Sequence, residues 1–244
     1  MVTKPEKIGL GIGVAAFVCA VLGVATTGLV RGFWAWTTVS CVVASLAYAL
    51  NRPHWLGKRE GAMGPRALLI LPYLVAFGIA VRLMRWWRGA DRPTRVAPGV
   101  WVGGRTPAGW VPPGVTTIVD LVAEYPADRA VRGMAGYRNL LVLDGGVPPD
   151  ADAFVALVRE VAAANGDVLV HCDSGRGRAP TFAAALCVVR GLAPDVASAL
   201  AMLCAARTVV APTRVDRAFL ARVEPRLRAA APAPRAVDLE SPVG

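Results

Sequence analysis

The stretch Val168-Leu-Val-His171-Cys172-Asp173-Ser174-Gly175-Arg176-Gly177-Arg178-Ala179-Pro180-Thr181 decides how the chain reads. Val168 to His171 is a continuous apolar run, entered through the turn Asn165-Gly166-Asp167, as a buried strand should be. A buried helix is predicted over 181–190. Between the two, a loop with two glycines runs into a helix N-terminus, where several backbone N–H groups converge. Such a loop is a ready-made anion site. Cys172 at its base feels the same partial positive charge, and Arg178 adds a full one; both favour the thiolate. The planar fork of Arg178 holds two phosphoryl oxygens at once, which a lysine does not. A lone cysteine is ordinarily a small buried hydrophobe. A thiolate, an amide cradle and a guanidinium clamp together suit phosphomonoester cleavage.

Short β-branched or apolar runs at 100–103, 116–121 and 140–143 predict further strands. Residues 150–164 repeat apolar side chains at Phe154, Leu157, Val158 and Val161, the helical period, and helices are also predicted over 195–207 and 215–228. Strands alternating with helices imply an α/β fold, a largely parallel central sheet flanked by helices.

HCDSGRGR at 171–178 resembles the HCxxGxxR signature of the protein tyrosine and dual-specificity phosphatases. The resemblance covers roughly residues 98–228. It implies a phosphocysteine intermediate with Cys172 as nucleophile and Arg178 on the phosphoryl oxygens. It further implies that the amides of Asp173, Ser174, Gly175, Arg176, Gly177 and Arg178 form the cradle, and that His171 orients the loop. No metal or organic cofactor is called for. The family usually carries Ser or Thr directly after the Arg; here Ala179-Pro180 follow and Thr181 stands further on. That departure puts the second step, hydrolysis of the phosphoenzyme, in question.

The family supplies its general acid from a mobile loop some way before the Cys. Asp144 lies 28 residues upstream, after the strand and before Gly145-Gly146. It is the expected acid, and Asp150 or Asp152 is expected to cap the next helix. Asp120-Leu-Val-Ala-Glu124-Tyr125 and the Arg176/Arg178 pair are similar to phosphatidylglycerophosphate phosphatases of the dual-specificity type. A lipid phosphate is therefore one expected substrate, with Arg176 beside a second anionic group. Asp173, at the loop mouth, should repel highly phosphorylated headgroups. Arg176 could equally be a solvated charge or pair with Asp173 or Glu124, and Glu124 could be a structural carboxylate holding the loop. A membrane-tethered phosphotyrosine or phosphoserine/threonine phosphatase is the alternative, and a weakly active phosphate-binding scaffold a third reading. Arg207 is expected to support structure, and Cys187 and Cys204 to be core.

The rest of the chain is apolar. Mean hydropathy is +0.48 with 55% hydrophobic and 18% charged residues, too apolar for an ordinary soluble globule and incompatible with disorder throughout. The net charge of +10 is concentrated at one end, with 12 Lys/Arg against three acids in residues 1–95 and 15 against 14 in the remainder. Cations beside apolar runs mark bilayer flanks and argue against nucleic acid. Transmembrane helices are expected at about 8–30 and 33–50, turning at Arg31-Gly32 with Gly28 as a residue the turn can share, and a third, shorter run at 67–84 is either a span or a re-entrant or interfacial helix. Two spans put the flanking cations on one face, the cytoplasmic one by the positive-inside rule; three divide them evenly. The expected organisation is a transmembrane region at 1–88, a linker at 89–98, a catalytic domain at 99–228 and a disordered tail at 229–244. The five cysteines show no disulfide or zinc spacing. Twenty-four Arg against three Lys suggest a GC-rich, bacterial genome.

Overall fold

The computed structural model describes residues 4–88 and 91–229. The tail from residue 230 onward lies outside the described residues.

The chain opens with two apolar helices, α1 (Lys4–Val24) and α2 (Gly28–Ala49), packed as a hairpin. Small residues let them approach closely: Gly9 faces the Tyr48 side chain, and the Ser45 hydroxyl donates to the Gly9 carbonyl at 2.8 Å. Both are long and apolar enough to cross a membrane. Their outer faces carry large exposed apolar residues, among them Leu10, Phe17, Val24 and Leu29. The turn falls at 25–27 and at Gly28, which has φ +60 and is the residue the sequence allows the turn to share, rather than at Arg31-Gly32. Arg31 instead lies inside α2, where its Nε donates to the Thr26 and Gly23 carbonyls at 2.9 and 3.3 Å. A helix leaves its last carbonyls unpaired, and this guanidinium satisfies them across the turn.

After α2 come a 3₁₀ turn (Pro53–Leu56), the small hairpin β1 (Lys58–Arg59) and β2 (Ala62–Met63), a second 3₁₀ turn (Pro65–Leu68) and α3 (Leu71–Arg88). The third apolar run thus opens within the turn Pro65–Leu68, and its helical apolar part, Leu71–Met84, is shorter than α1 and α2. It runs beside α2, where the Ser40 hydroxyl oxygen accepts from the Tyr73 amide at 3.0 Å.

The remaining elements are β3 (Thr94–Ala97), β4 (Val100–Gly103), β5 (Val115–Val122), the short α4 (Arg129–Arg132), β6 (Tyr137–Val142), α5 (Ala151–Ala163), β7 (Asp167–His171), α6 (Arg178–Val189), α7 (Val196–Ala206) and α8 (Arg214–Arg228). They form one five-stranded sheet in the order β3-β4-β7-β5-β6, with β3 antiparallel to β4 and all other pairs parallel. The largely parallel sheet flanked by helices is as the sequence implied. Every residue of α6 is buried, so that helix is apolar all round and forms the centre of the core. Phe154, Phe182 and Phe219 join α5, α6 and α8 edge to face, with ring centroids 5.5 and 5.0 Å apart.

Two readings need correction. The linker is not free: within it β3 pairs with β4, and Arg207 holds its approach by donating to both Asp91 carboxylate oxygens at 2.7 and 2.6 Å and to Thr94 Oγ1 at 2.8 Å. Lys58, counted among the flanking cations, is buried. Its Nζ donates to Asp120 Oδ2 and to the Val122 carbonyl, both at 2.7 Å, fastening the β1–β2 hairpin to β5. Burial alone would raise the pKa of Asp120, but its neighbours outweigh it, the Lys58 ammonium and the Tyr137 hydroxyl among them, and hold it below the ordinary value. Replacing Lys58 with Met would leave that carboxylate without its ammonium. We expect Lys58→Met to cost about 3–5 kcal/mol, read as a lowered unfolding midpoint in detergent; an unchanged midpoint would remove the hairpin from the account of stability.

Candidate active site

Val168 to His171 lies between β4 and β5, with His171 level with Gly103 on one side and Asp120 on the other. Everything that follows His171 therefore emerges at the carboxyl ends of the parallel strands, where open α/β sheets bind ligands. The loop is stitched to the end of β4. Gly104 and Ser174 form a bridge, the Arg105 amide donates to the Asp173 carbonyl at 3.0 Å, and the Cys172 amide donates to the Gly103 carbonyl at 3.3 Å. Gly175 has φ +64, and a Cβ there would lie 2.7 Å from the Gly103 carbonyl carbon. Both the left-handed backbone and the close approach require glycine. The far side of the loop is held by the Ala211 amide, which donates to the Arg176 carbonyl at 2.8 Å.

Cys172 is buried, and its Sγ accepts from the Gly175 amide at 3.2 Å. Arg178 is the first residue of α6, and Gly177 occupies the N-cap position. Its Nη1 donates to the Val142 carbonyl at 2.6 Å and to Glu124 Oε2 at 3.0 Å, while its Nη2 lies 3.5 Å from Asp144 Oδ1. Burial works against its charge, but Glu124, Asp144 and Cys172 together hold its pKa well above the ordinary value. Asp144 follows β6, and its side chain is 35% exposed. Its amide donates to Glu124 Oε1 at 2.6 Å. The structure thus brings Cys172, Arg178, Asp144 and Glu124 to one end of the sheet.

The other expected residues fall as follows. Glu124 pairs with Arg178. Asp173 accepts from the Tyr125 hydroxyl, and Arg176 is exposed with neither carboxylate as its partner. His171 is buried with its Nδ1 4.0 Å from Asp120 Oδ1; burial lowers its pKa, so the ring is neutral near pH 7. Ala179 is fully buried, and the Thr181 hydroxyl donates back to the Gly177 carbonyl at 3.0 Å. That hydroxyl is committed to the helix turn and does not stand in for the missing one. Asp150 caps α5 by accepting from the Asp152 and Ala153 amides, whereas Asp152 pairs with Arg226 at the surface. Cys187 is buried and its thiol is pushed up to about 12, which keeps it protonated.

Residues 111–224 match the model of a family described as Swiss Army Knife protein, DSP-PTPase phosphatase domain. That part of the chain is a phosphatase domain of the dual-specificity and protein tyrosine phosphatase type. Its enzyme class is phosphoric monoester hydrolase. Similar solved structures include human DUSP28, 22% identical with a TM-score of 0.48, the match covering 57% of this chain and 97% of that one. A mouse putative dual specificity phosphatase complexed with zinc tungstate is 25% identical, with a TM-score of 0.48 over 61% of this chain and 96% of that one. PTPMT1 in complex with PI(5)P is 17% identical, with a TM-score of 0.47 over 57% of this chain and 98% of that one. No curated protein sequence matches.

Sequence reasoning did not single out Tyr48, which reaches Glu124 from α2 at 3.1 Å. It sits in the last turn of an apolar helix, where nothing local signals a polar partner 76 residues away. The phosphate loop itself gives a direct test. Gly175→Ala would force the loop off the end of β4, and the dissociation constant for inorganic phosphate, measured by calorimetry, should rise at least about tenfold, or about 1.4 kcal/mol. An unchanged constant would mean that the loop geometry does not set anion binding.

Proposed function

We propose that the chain is a membrane-anchored phosphatase that cleaves the phosphomonoester of a lipid through a phosphocysteine intermediate. The mechanism rests on the convergence of Cys172, Arg178 and Asp144. The Cys172 thiolate attacks phosphorus, the bond from phosphorus to the ester oxygen breaks, and Asp144 gives that oxygen its proton. Arg178 and the loop amides carry the negative charge of the transferring group. Water then attacks the phosphocysteine, its proton passes to the Asp144 carboxylate, the phosphorus–sulfur bond breaks, and inorganic phosphate leaves with the thiolate regenerated.

The observation that favours a lipid is a groove of about 300 Å³ between α3 and the loop after β5. Leu71, Leu74, Val75 and Gly78 line one wall, Glu124 and Tyr125 the other, and Arg82 and Arg105 bring positive charge to it. Glu124 is also the partner of Arg178, so the groove abuts the phosphate site. An amphiphile fits this arrangement, with its phosphomonoester on the loop and its apolar chain along α3. The exposed apolar faces of α1 and α2 support anchoring, since patches of that size are unusual on a soluble monomer. A cytoplasmic catalytic domain is supported by the flanking cations other than the buried Lys58 under the two-span reading, and by the need to keep a reactive thiolate from oxidation.

Two experiments test this. Phosphate release from a phospholipid monoester in mixed micelles, a phosphopeptide and an aryl phosphate should favour the lipid, and activity confined to the phosphopeptide would reject the lipid assignment. In the same assays Cys172→Ser should be inactive, and Asp144→Asn should lose alkyl-ester hydrolysis by about 10²–10⁴-fold while sparing the activated aryl ester. Equal loss on both esters would take the acid role from Asp144. A thiol reagent that cannot cross membranes should label Cys172 in inverted vesicles and not in intact cells; the reverse pattern would move the domain to the other side.

A further inference from the structure

Glu124 is 1% exposed, and both of its carboxylate oxygens are occupied. Oε2 accepts from Arg178 Nη1 at 3.0 Å and from the Ala123 amide at 3.2 Å. Oε1 accepts from the Asp144 amide at 2.6 Å and from the Tyr48 hydroxyl at 3.1 Å. Four donors from four parts of the chain thus fix the plane of one carboxylate. Two of these donors belong to the proposed clamp and acid. The fourth comes from the anchor helix.

Tyr48 itself is 2% exposed and held on all sides. It packs with Ala44 and Ala47 of its own helix, with Leu56 and Ile70 of the connecting segment, and with Ala123 and Leu143 of the phosphatase domain. Ala123 precedes Glu124 and Leu143 precedes Asp144. The hydroxyl is therefore delivered by a packed unit to the two backbone positions that carry the site. A buried phenol aimed at an already paired carboxylate adds little to burial that Phe would not supply. What the oxygen adds is direction. Without it, Oε1 keeps a single donor and the plane of the carboxylate is held less firmly, and with it the reference for both Arg178 and Asp144.

We propose that Tyr48 is a positioning residue of the phosphatase site, acting through Glu124, and that the N-terminal helical segment is thereby a working part of the enzyme. The proposal rests on the phosphatase reading for its kinetic consequence but not for its binding consequence. The test uses the full chain in detergent micelles. In Tyr48→Phe, the dissociation constant for inorganic phosphate should rise several-fold and kcat/KM on an aryl phosphate should fall about tenfold, the scale of one charge-assisted hydrogen bond. The unfolding midpoint should stay close to wild type, because Phe preserves the packing. In a Glu124→Ala background the same substitution should change neither quantity further, as a double-mutant cycle requires of two groups acting as one. Wild-type phosphate affinity in Tyr48→Phe would overturn the proposal. An equal additional loss in the Glu124→Ala background would also overturn it, by showing that Tyr48 acts through packing. Phosphate binding is read by calorimetry and needs no turnover, so a wild-type chain inactive on every ester would count against the phosphatase reading and leave this one still decidable.

Discussion

A guanidinium cut off from bulk water has to be neutralised where it stands, and the site is built around that requirement at Arg178. Its side chain is only 3% exposed. Leaving such an ion unpaired would cost several kcal/mol, more than most other local features contribute. The ends of β5 and β6 meet the need: the Val142 carbonyl and the Glu124 carboxylate take Nη1, and Asp144 stands beside Nη2. The same placement decides what the arginine can do. One nitrogen is committed to the sheet, which fixes the plane of the fork, and the other is directed toward Asp144. Under the proposed function, a phosphoryl group would meet a guanidinium oriented before it arrives, with little ordering cost on binding.

The strand that leads to Glu124 carries a second buried acid four residues earlier, and the pair explains why the N-terminal segment cannot be treated as a detachable appendage. Asp120 takes Lys58 from the β1–β2 hairpin and the Tyr137 hydroxyl at 2.6 Å. Glu124 takes Tyr48 from α2. Around these contacts Ala44, Tyr48, Leu56 and Ile70 form one apolar cluster with Ala123 and Leu143. The boundary drawn from composition near residues 89–98 is real for hydropathy. It is not a boundary of packing, because the buried charges of β5 find their partners on the far side of it.

This difference also accounts for what could be read from the sequence. The phosphate loop was legible because its parts are contiguous: strand, cysteine, glycines, arginine and helix follow one another within 171–178, and local geometry does the rest. The place of Asp144 beside Arg178, though not its role, was legible through the family's spacing and its flanking glycines, and Asp150 through the ordinary signs of an N-cap. Lys58 was misread because three cations within nine residues, beside an apolar run, look like a solvated flank. Only the folded chain reveals that one of them faces a carboxylate 62 positions later. The hairpin turn was misplaced for a related reason. A charge between two apolar runs marks a turn by hydropathy, yet Arg31 lies within α2, and its guanidinium reaches back to the Gly23 carbonyl at the end of α1.

The electrostatics at the mouth of the loop follow from the same non-local pairing. As a sequence feature, Asp173 places a negative charge where an anionic substrate enters. In the fold its carboxylate accepts from the Tyr125 hydroxyl, and the Arg105 amide donates to its backbone carbonyl. Burial and then Asp173 itself push the Tyr125 phenol well above its ordinary range, so at neutral pH it remains a donor. The Arg105 guanidinium lies over the ring of Tyr125, 4.6 Å from its centroid, in cation–π geometry. The acid is thus engaged by a hydroxyl, with a cation stacked behind that hydroxyl's ring. The rim that remains is set by Arg105 and Arg82 in the groove and by Arg176 outside it. Screening in water weakens the exposed Arg176 and Arg82 more than the half-buried Arg105, and Arg105 stands on the α3 side, where the apolar wall also stands.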